Sequence, residues 1–317
     1  MATLLVGARS FLVGSIGKFA DQQLKGVCQA QVIAVFERSF YVNTATGLCC
    51  VGVQGIGRGP LNVVLGSEQE HLPFEVATGE HLLISNRKIF FDNGGVLDAT
   101  QSRVYQPEVD RVRLVPKNLH RNRNTLRELQ GMPDSGFYWL LSNHPSNRQE
   151  SVLQSALRRS TTAPMCGLLE WLRAGFMHKN KGRAHEVSAA LGFLGAGPGL
   201  TPAGDDVLAG IMLALIRFRR ADLAESLWQT IAPSLTVLTN TISAAHLEQA
   251  SQGCCGESMS GLLDEVFHAE KIEAVTIAHV LDSMGCTSGW DTLGGVAMVI
   301  DTWLDTINTT HRTVTTC

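Results

Sequence analysis

The chain has 317 residues, 44% of them hydrophobic and 17% charged, with a formal net charge of −3. This balance is that of a globular protein with ample core, and it excludes a disordered chain or a nucleic-acid binder held by a basic surface. The length predicts two domains, or one large one with an added layer. The longest apolar run, Val207 to Ile216, is about half of what spans a bilayer, so no membrane association is expected. No basic stretch precedes the apolar residues between Met1 and Val13; a signal peptide is not expected, and the cytoplasm is the expected compartment. Eight cysteines without a Cys-x-x-Cys, including the adjacent pairs Cys49-Cys50 and Cys254-Cys255, predict reduced and mostly buried thiols.

From Gly26 to about Val115 the pattern is strand-like, with β-rich runs at Val27 to Val42, Leu48 to Val53, Leu61 to Leu65, His81 to Phe91 and Val96 to Tyr105. Asn93-Gly94 is a turn signal. The loop Gly55-Ile56-Gly57-Arg58-Gly59-Pro60 reads first as a glycine-rich hairpin turn and second as a backbone approach to a ligand through Gly57 and Gly59. A junction follows with Pro107, Pro116 and the basic residues Arg111, Arg113, Lys117, Arg121, Arg123 and Arg127. Lacking interleaved aromatics, it reads as a solvated face. Beyond it, helices are predicted over 119–131, 148–160, 166–177, 184–193, 203–219, 221–231, 234–252, 257–268, 271–284 and 290–308. The fold class is therefore α+β: a β-rich sheet or barrel-like domain over 1–115, then a mainly helical domain over 116–317.

Residues 195 to 210 carry the strongest chemical signal. Gly195, Gly197 and Gly199 alternate into Thr201-Pro202, read as an N-cap with proline in the first helical position, and Asp205 and Asp206 follow within the first two turns. A glycine-rich bend presents bare N–H groups to an anion, and the helix dipole adds positive potential. Two carboxylates beside it are suited to a hard cation such as Mg²⁺ or to proton handling. The structural alternative is a tight turn whose aspartates merely favour the helix dipole.

Residues 240 to 253 form a small-residue helix with Ser243 and His246 near one face. Two side chains on one helix rarely face each other as a nucleophile and base must, so packing against the glycine loops with a polar contact is expected. A second glycine-rich stretch, Gly285 to Gly295, echoes the first: Asp206-Val207-Leu208-Ala209-Gly210 aligns with Asp291-Thr292-Leu293-Gly294-Gly295, and Thr201 with Thr287. Ser288 and Asp291 resemble a capping box ahead of a helix of Val296 to about Leu304. If the two loops converge, Thr287, Ser288 and Gly289 join Gly197, Gly199 and Thr201 around one pocket. Chance recurrence of short helix-start strings is the alternative. Cys286, inside this loop, reads as a packing residue ahead of a nucleophile. No P-loop, Rossmann fingerprint, Gly-x-Ser-x-Gly elbow or His-Glu-x-x-His is present, so no nucleotide cofactor is expected.

Gly197-Pro198-Gly199-Leu200-Thr201-Pro202 with Asp205-Asp206, Thr287-Ser288-Gly289 with Asp291-Thr292-Leu293, and Gly55-x-Gly57-x-Gly59-Pro60 together resemble the AllH-like family, over about residues 50 to 305. Its named member is a subunit of oxamate carbamoyltransferase, an enzyme of anaerobic allantoin (purine) catabolism built from three kinds of subunit. The resemblance implies reversible carbamoyl transfer between oxamate, as oxalurate, and phosphate, with other carbamoyltransferase subunits as partners. It does not extend to the ordinary aspartate or ornithine carbamoyltransferases. On this reading the glycine-loop N–H groups cradle the anion. Asp205 and Asp206 orient the amide nitrogen, bind Mg²⁺ or act as base, and Asp291 assists. No Lys or Arg lies in either motif to offset carboxylates beside phosphate. Two alternatives stay open: a metal-dependent phosphoryl-transfer or other small-molecule enzyme, and a non-catalytic metabolite-binding or assembly subunit.

Overall fold

The computed structural model describes residues 9–66, 70–107, 114–133, 135–141, 151–177, 187–285 and 287–314. Arg111, Arg113, Cys286 and Cys317 lie outside them. The chain divides into two compact units, Met1–Glu108 with Cys255–Glu257, and Val109–Cys254 with Ser258–Cys317.

The first unit is a closed barrel. Its strands are β1 (Ser10–Gly17), β2 (Val27–Val35), β3 (Ser39–Asn43), β4 (Leu48–Gly52), β5 (Asn62–Leu65), β6 (His81–Ser85), β7 (Lys88–Phe91), β8 (Val96–Asp98) and β9 (Arg103–Tyr105), with helix α1 (Lys18–Leu24) after the first. They follow the order β5-β4-β3-β2-β6-β7-β8-β1-β9, and β1 also pairs with β5, which joins the ends of eight strands. Inward residues alternate along the strands, as the period of two requires: Phe40 and Val42, Leu82 and Ile84, Ile89 and Phe91 are all buried. The ring of Phe74 packs against those of Phe11, Phe40 and Phe91.

Two expected runs split. Val27 to Val42 makes both β2 and β3. His81 to Phe91 turns through Asn86 and Arg87 at φ 50° and 61°, the left-handed geometry a two-residue hairpin needs. The turn at Asn93-Gly94 is present, with the Gly94 N–H donating to Phe91 O. The strand the pattern did not show is β1, which does most to close the barrel. Ser10–Leu12 run parallel to β8, Val13–Ile16 antiparallel to β5, and Ser15–Gly17 parallel to β9.

The second unit is helical: α2 (Pro116–Arg127), α3 (Val152–Met177), α4 (Ala203–Arg217), α5 (Ala221–Ile231), the single turn α6 (Leu235–Leu238), α7 (Thr241–Ser251), α8 (Glu257–His268, its first residue in the barrel unit), α9 (Ala274–Asp282) and α10 (Ser288–Val314). The two helices expected over 148–160 and 166–177 are one, running through Pro164. The single helix expected over 234–252 is broken at Thr239-Asn240, where the Asn240 side chain accepts from the N–H groups of Ile242 and Ser243 and restarts the helix. Residues 188–192 form only a 3₁₀ turn. Among the described residues no helix is long and apolar enough to cross a membrane, and no disulfide joins the described cysteines.

The basic junction also departs from expectation. Arg123 is 2% exposed. Its guanidinium grips Asp301 through Nε (2.9 Å) and Nη2 (2.7 Å) and donates to the carbonyls of Leu140 and Leu141. Arg127 shares the same carboxylate at 2.9 Å. Side chains from one run thus serve both the interior and the surface, a difference that composition does not carry.

At the centre, α4 and the first turns of α10 are buried almost all round, as the apolar sequence of both demands. They meet through glycine. A Cβ on Gly210 would overlap the carbonyl oxygen of Thr292, and one on Gly295 would overlap that of Val207. The contact is reciprocal: each glycine sits four residues after its aspartate, and each blocking carbonyl one residue after. We expect Gly210→Ala to destabilise the protein by about 2 kcal/mol or more through overpacking, with Gly295→Ala similar. Urea unfolding of the two variants is the check, and wild-type midpoints would contradict the close crossing.

Candidate active site at the crossing of two helix N-termini

The loop before α4 is shaped by glycine. Gly197 and Gly199 stand at φ 109° and 104°, a backbone that side-chain-bearing residues rarely adopt. Gly195 is fixed for a second reason, since a Cβ there would strike the carbonyl oxygen of Leu238. The N–H groups of Gly197, Gly199, Leu200 and Thr201 donate to no acceptor among the described residues. The helix starts at Ala203 with Pro202 as its N-cap. Thr201 therefore does not cap it; its hydroxyl pairs instead with that of Ser288, 2.7 Å away at the start of α10. The two Gly/Thr/Asp stretches thus converge.

Adjacent aspartates on a helix point about 100° apart, and here they do different things. Asp205, 1% exposed, accepts the Gly195 N–H on Oδ1 at 2.7 Å, and the hydroxyls of Ser243 (2.6 Å) and Thr239 on Oδ2. Desolvation pushes its pKa up and these donors pull it back. The carboxylate ties the glycine loop, the α6–α7 junction and α4 together. Ser243 is committed to it. His246, partly buried and held down to about 4 by desolvation, is a neutral imidazole with no serine to activate.

Asp206 turns the other way, toward α10. It is 8% exposed, and its Oδ2 is buried with no hydrogen-bond partner among the described residues. Desolvation, reinforced by the charge of Asp291, raises its pKa well above the ordinary carboxylate range, while the Ser288 and Thr201 hydroxyls oppose the rise. Asp291, 1% exposed, accepts the Phe137 N–H on Oδ1 at 2.5 Å, and its Oδ2 is likewise unpartnered. Burial lifts its pKa to about 7, with Phe137 and Thr287 pulling it down. Ser288 and Asp291 form no capping box: α10 begins at Ser288, the Asp291 N–H bonds Thr287 O, and the Asp291 carboxylate accepts from Phe137 on Oδ1 instead.

Gly136, at φ 81°, lies so close to Asp291 that a Cβ would overlap its carboxylate. The Gly136 carbonyl accepts from Gln154 Nε2 at 2.7 Å. Residues 135–137 and Gln154 were missed in the sequence; the only signal was a Ser-Gly pair in an otherwise plain loop. A cavity of about 290 Å³ opens here, lined by Gly136, Gln154 and Leu157 on one side and Ala196, Gly197 and Pro198 on the other. None of the described residues lining it is Lys or Arg.

The structure therefore gathers Asp206, Asp291, Thr201, Thr287 and Ser288 about one crossing, with Gly197 and Gly199 in the loop before it and Gly289 in the first turn of α10. Asp205 and Ser243 brace the loop from behind. Gly57 and Gly59 belong to the barrel unit, flanking Arg58, whose Nε donates to Glu257 of the same unit at 2.7 Å. Among the described residues no group of three His, Cys, Asp or Glu side chains is placed to hold a metal. A Mg²⁺ bridging Asp205 and Asp206 would first have to displace the three donors on Asp205.

Burial of Asp291 has a pH consequence. Between its ordinary pKa of 3.8 and about 7 the unfolded chain releases this proton while the folded chain keeps it, so stability present at low pH is lost as pH rises through that window. Every tenfold difference in proton affinity between the two states corresponds to about 1.4 kcal/mol. We expect Asp291→Asn, which can still accept from Phe137, to gain on the wild type as pH rises from about 4 to about 7 in chemical unfolding. Parallel pH profiles would show that Asp291 ionises in the folded state as it does in the unfolded one.

Residues 193–300 match the family model described as oxamate carbamoyltransferase subunit AllH. The resemblance read from the glycine, threonine and aspartate motifs is thus shown over that segment, and the Gly55–Pro60 loop lies outside it. The description is of a subunit, which implies further subunits in a complex. No solved structure matches the chain.

Proposed function

We propose that this chain is a subunit of a carbamoyltransferase complex of the oxamate type, and that the crossing of α4 and α10 is where it meets its small anionic substrate. One observation carries the reading: the matched segment, 193–300, is the segment that builds the glycine loop, both helix N-termini and the Asp206–Asp291 pair.

The chemistry suits the residues. In the direction from oxalurate, a phosphate oxygen attacks the terminal ureido carbon and the bond from that carbon to the oxamate nitrogen breaks. The proton of hydrogenphosphate ends on that nitrogen, giving oxamate and carbamoyl phosphate. Such a transfer needs donors for two sites of negative charge, the phosphate and the oxygen developing on the carbamoyl carbon. Uncommitted N–H groups at Gly197, Gly199 and Thr201, with the first turn of α10 at Ser288 and Gly289, supply donors without a cationic side chain. A carboxyl pair that keeps a proton near neutral pH repels an anion less than two carboxylates would. The remaining positive charge comes, on this reading, from a partner subunit.

The test is reconstitution of the full chain with its partner subunits and assay of carbamoyl phosphate formation from oxalurate and phosphate. A Thr201→Val/Ser288→Ala chain keeps the backbone donors but loses the hydroxyl pair that joins the two helix starts; it should still assemble but lose about ten- to a hundredfold in kcat/KM as those donors are placed less well. Undiminished activity in that variant, or in a complex lacking the chain altogether, overturns the proposal.

A further inference from the structure

The two carboxyl oxygens left without partners, Oδ2 of Asp206 and Oδ2 of Asp291, differ from everything around them. The glycine loop and helix starts offer donors, whereas these two buried oxygens face none but the proton that the pair keeps near neutral pH. An unsatisfied buried acceptor costs free energy unless a ligand or a shared proton supplies what is missing. Resting on the reading above, we propose that Asp206 and Asp291 together recognise the terminal NH₂ of a carbamoyl- or ureido-bearing ligand, one N–H to each Oδ2, while its anionic end lies on the N–H groups of Gly197 to Thr201.

The placement of the groups supports this division. Thr201 belongs to both halves: its N–H is among the uncommitted donors of the loop, and its hydroxyl lies against Asp206 while bonding Ser288. Gly136 has the cavity on one side and the Asp291 carboxylate against its Cα. Neither carboxylate lines the cavity itself, so on this proposal the NH₂ reaches them past Gly136. Of the Thr201 and Ser288 hydroxyls, one donates to the other and the second keeps its proton for Asp206, so an entering NH₂ group requires only that hydroxyl to rotate between staggered wells. Asp291 is anchored by Phe137 through Oδ1, so its free oxygen is held in one direction. Asp205 takes no part, since both its oxygens are occupied. A site of this kind accepts NH₂ and rejects an isosteric methyl, because the methyl leaves both acceptors unpaired.

Acetyl phosphate, which carries CH₃ where carbamoyl phosphate carries NH₂, is therefore the probe. Calorimetric titration of the reconstituted complex with carbamoyl phosphate, acetyl phosphate and inorganic phosphate should show carbamoyl phosphate bound at least about tenfold more tightly than acetyl phosphate. Asp206→Asn and Asp291→Asn should each bring the two ligands to near parity while inorganic phosphate binds as well as before or better. Equal binding of the two acyl phosphates by the wild type overturns this inference and leaves the functional reading intact. Binding of none of the three overturns both. The wild-type comparison decides the matter even if a variant fails to fold.

Discussion

Two backbones in contact set the terms for this site. Gly210 and Gly295 let the carbonyls of Thr292 and Val207 occupy the space a Cβ would need, so α4 and α10 cross with nothing between them. One turn earlier on each helix stand Asp206 and Asp291, drawn together by the same approach. Their burial and raised affinity for protons follow from it, as does the meeting of the Thr201 and Ser288 hydroxyls. Widening the crossing by a single methyl would therefore disturb the chemistry as well as the packing.

The neighbouring aspartates show how one helix start separates support from reactivity. Asp205 faces three donors and is a fully satisfied brace; its partners come from the loop, from Thr239 and from Ser243. Asp206 faces another carboxyl group and the hydroxyls of Thr201 and Ser288, yet its Oδ2 is left without a partner. The same residue type, one position along, is held in a state of incomplete hydrogen bonding. Such a state persists because the surrounding core, buried on nearly every side of α4, fixes it.

Much of this was legible in the sequence because it rests on local pattern. Alternating glycines announced a bend before α4, and the echo of Asp-x-Leu-x-Gly in two places pointed to two equivalent helix starts. The division into strands and helices followed from periodicity. What escaped had no local signature. The Gly136–Asp291 contact joins residues far apart in the chain and is marked only by a glycine in a loop. Arg123 is indistinguishable by composition from its solvated neighbours until Asp301 arrives beside it. The break at Thr239-Asn240 was hidden by a run of helix-compatible residues, with only an asparagine to show a new start. The Thr201 cap was expected from its place before a proline, yet a tertiary partner, Ser288, outcompeted the local bond.

The strand that went unseen, β1, has a consequence for how the molecule is made. Val13 pairs with Leu65, Ser10 with Val96 and Ser15 with Arg103. A ribosome delivers this strand first, but its partners emerge only after most of the barrel sequence has been synthesised. Until then β1 has no mate and its apolar residues no interior. Contacts so distant along the chain make closure the slow, late event in this unit. The interval before closure is when an emerging chain is most exposed to pairing with the wrong strand.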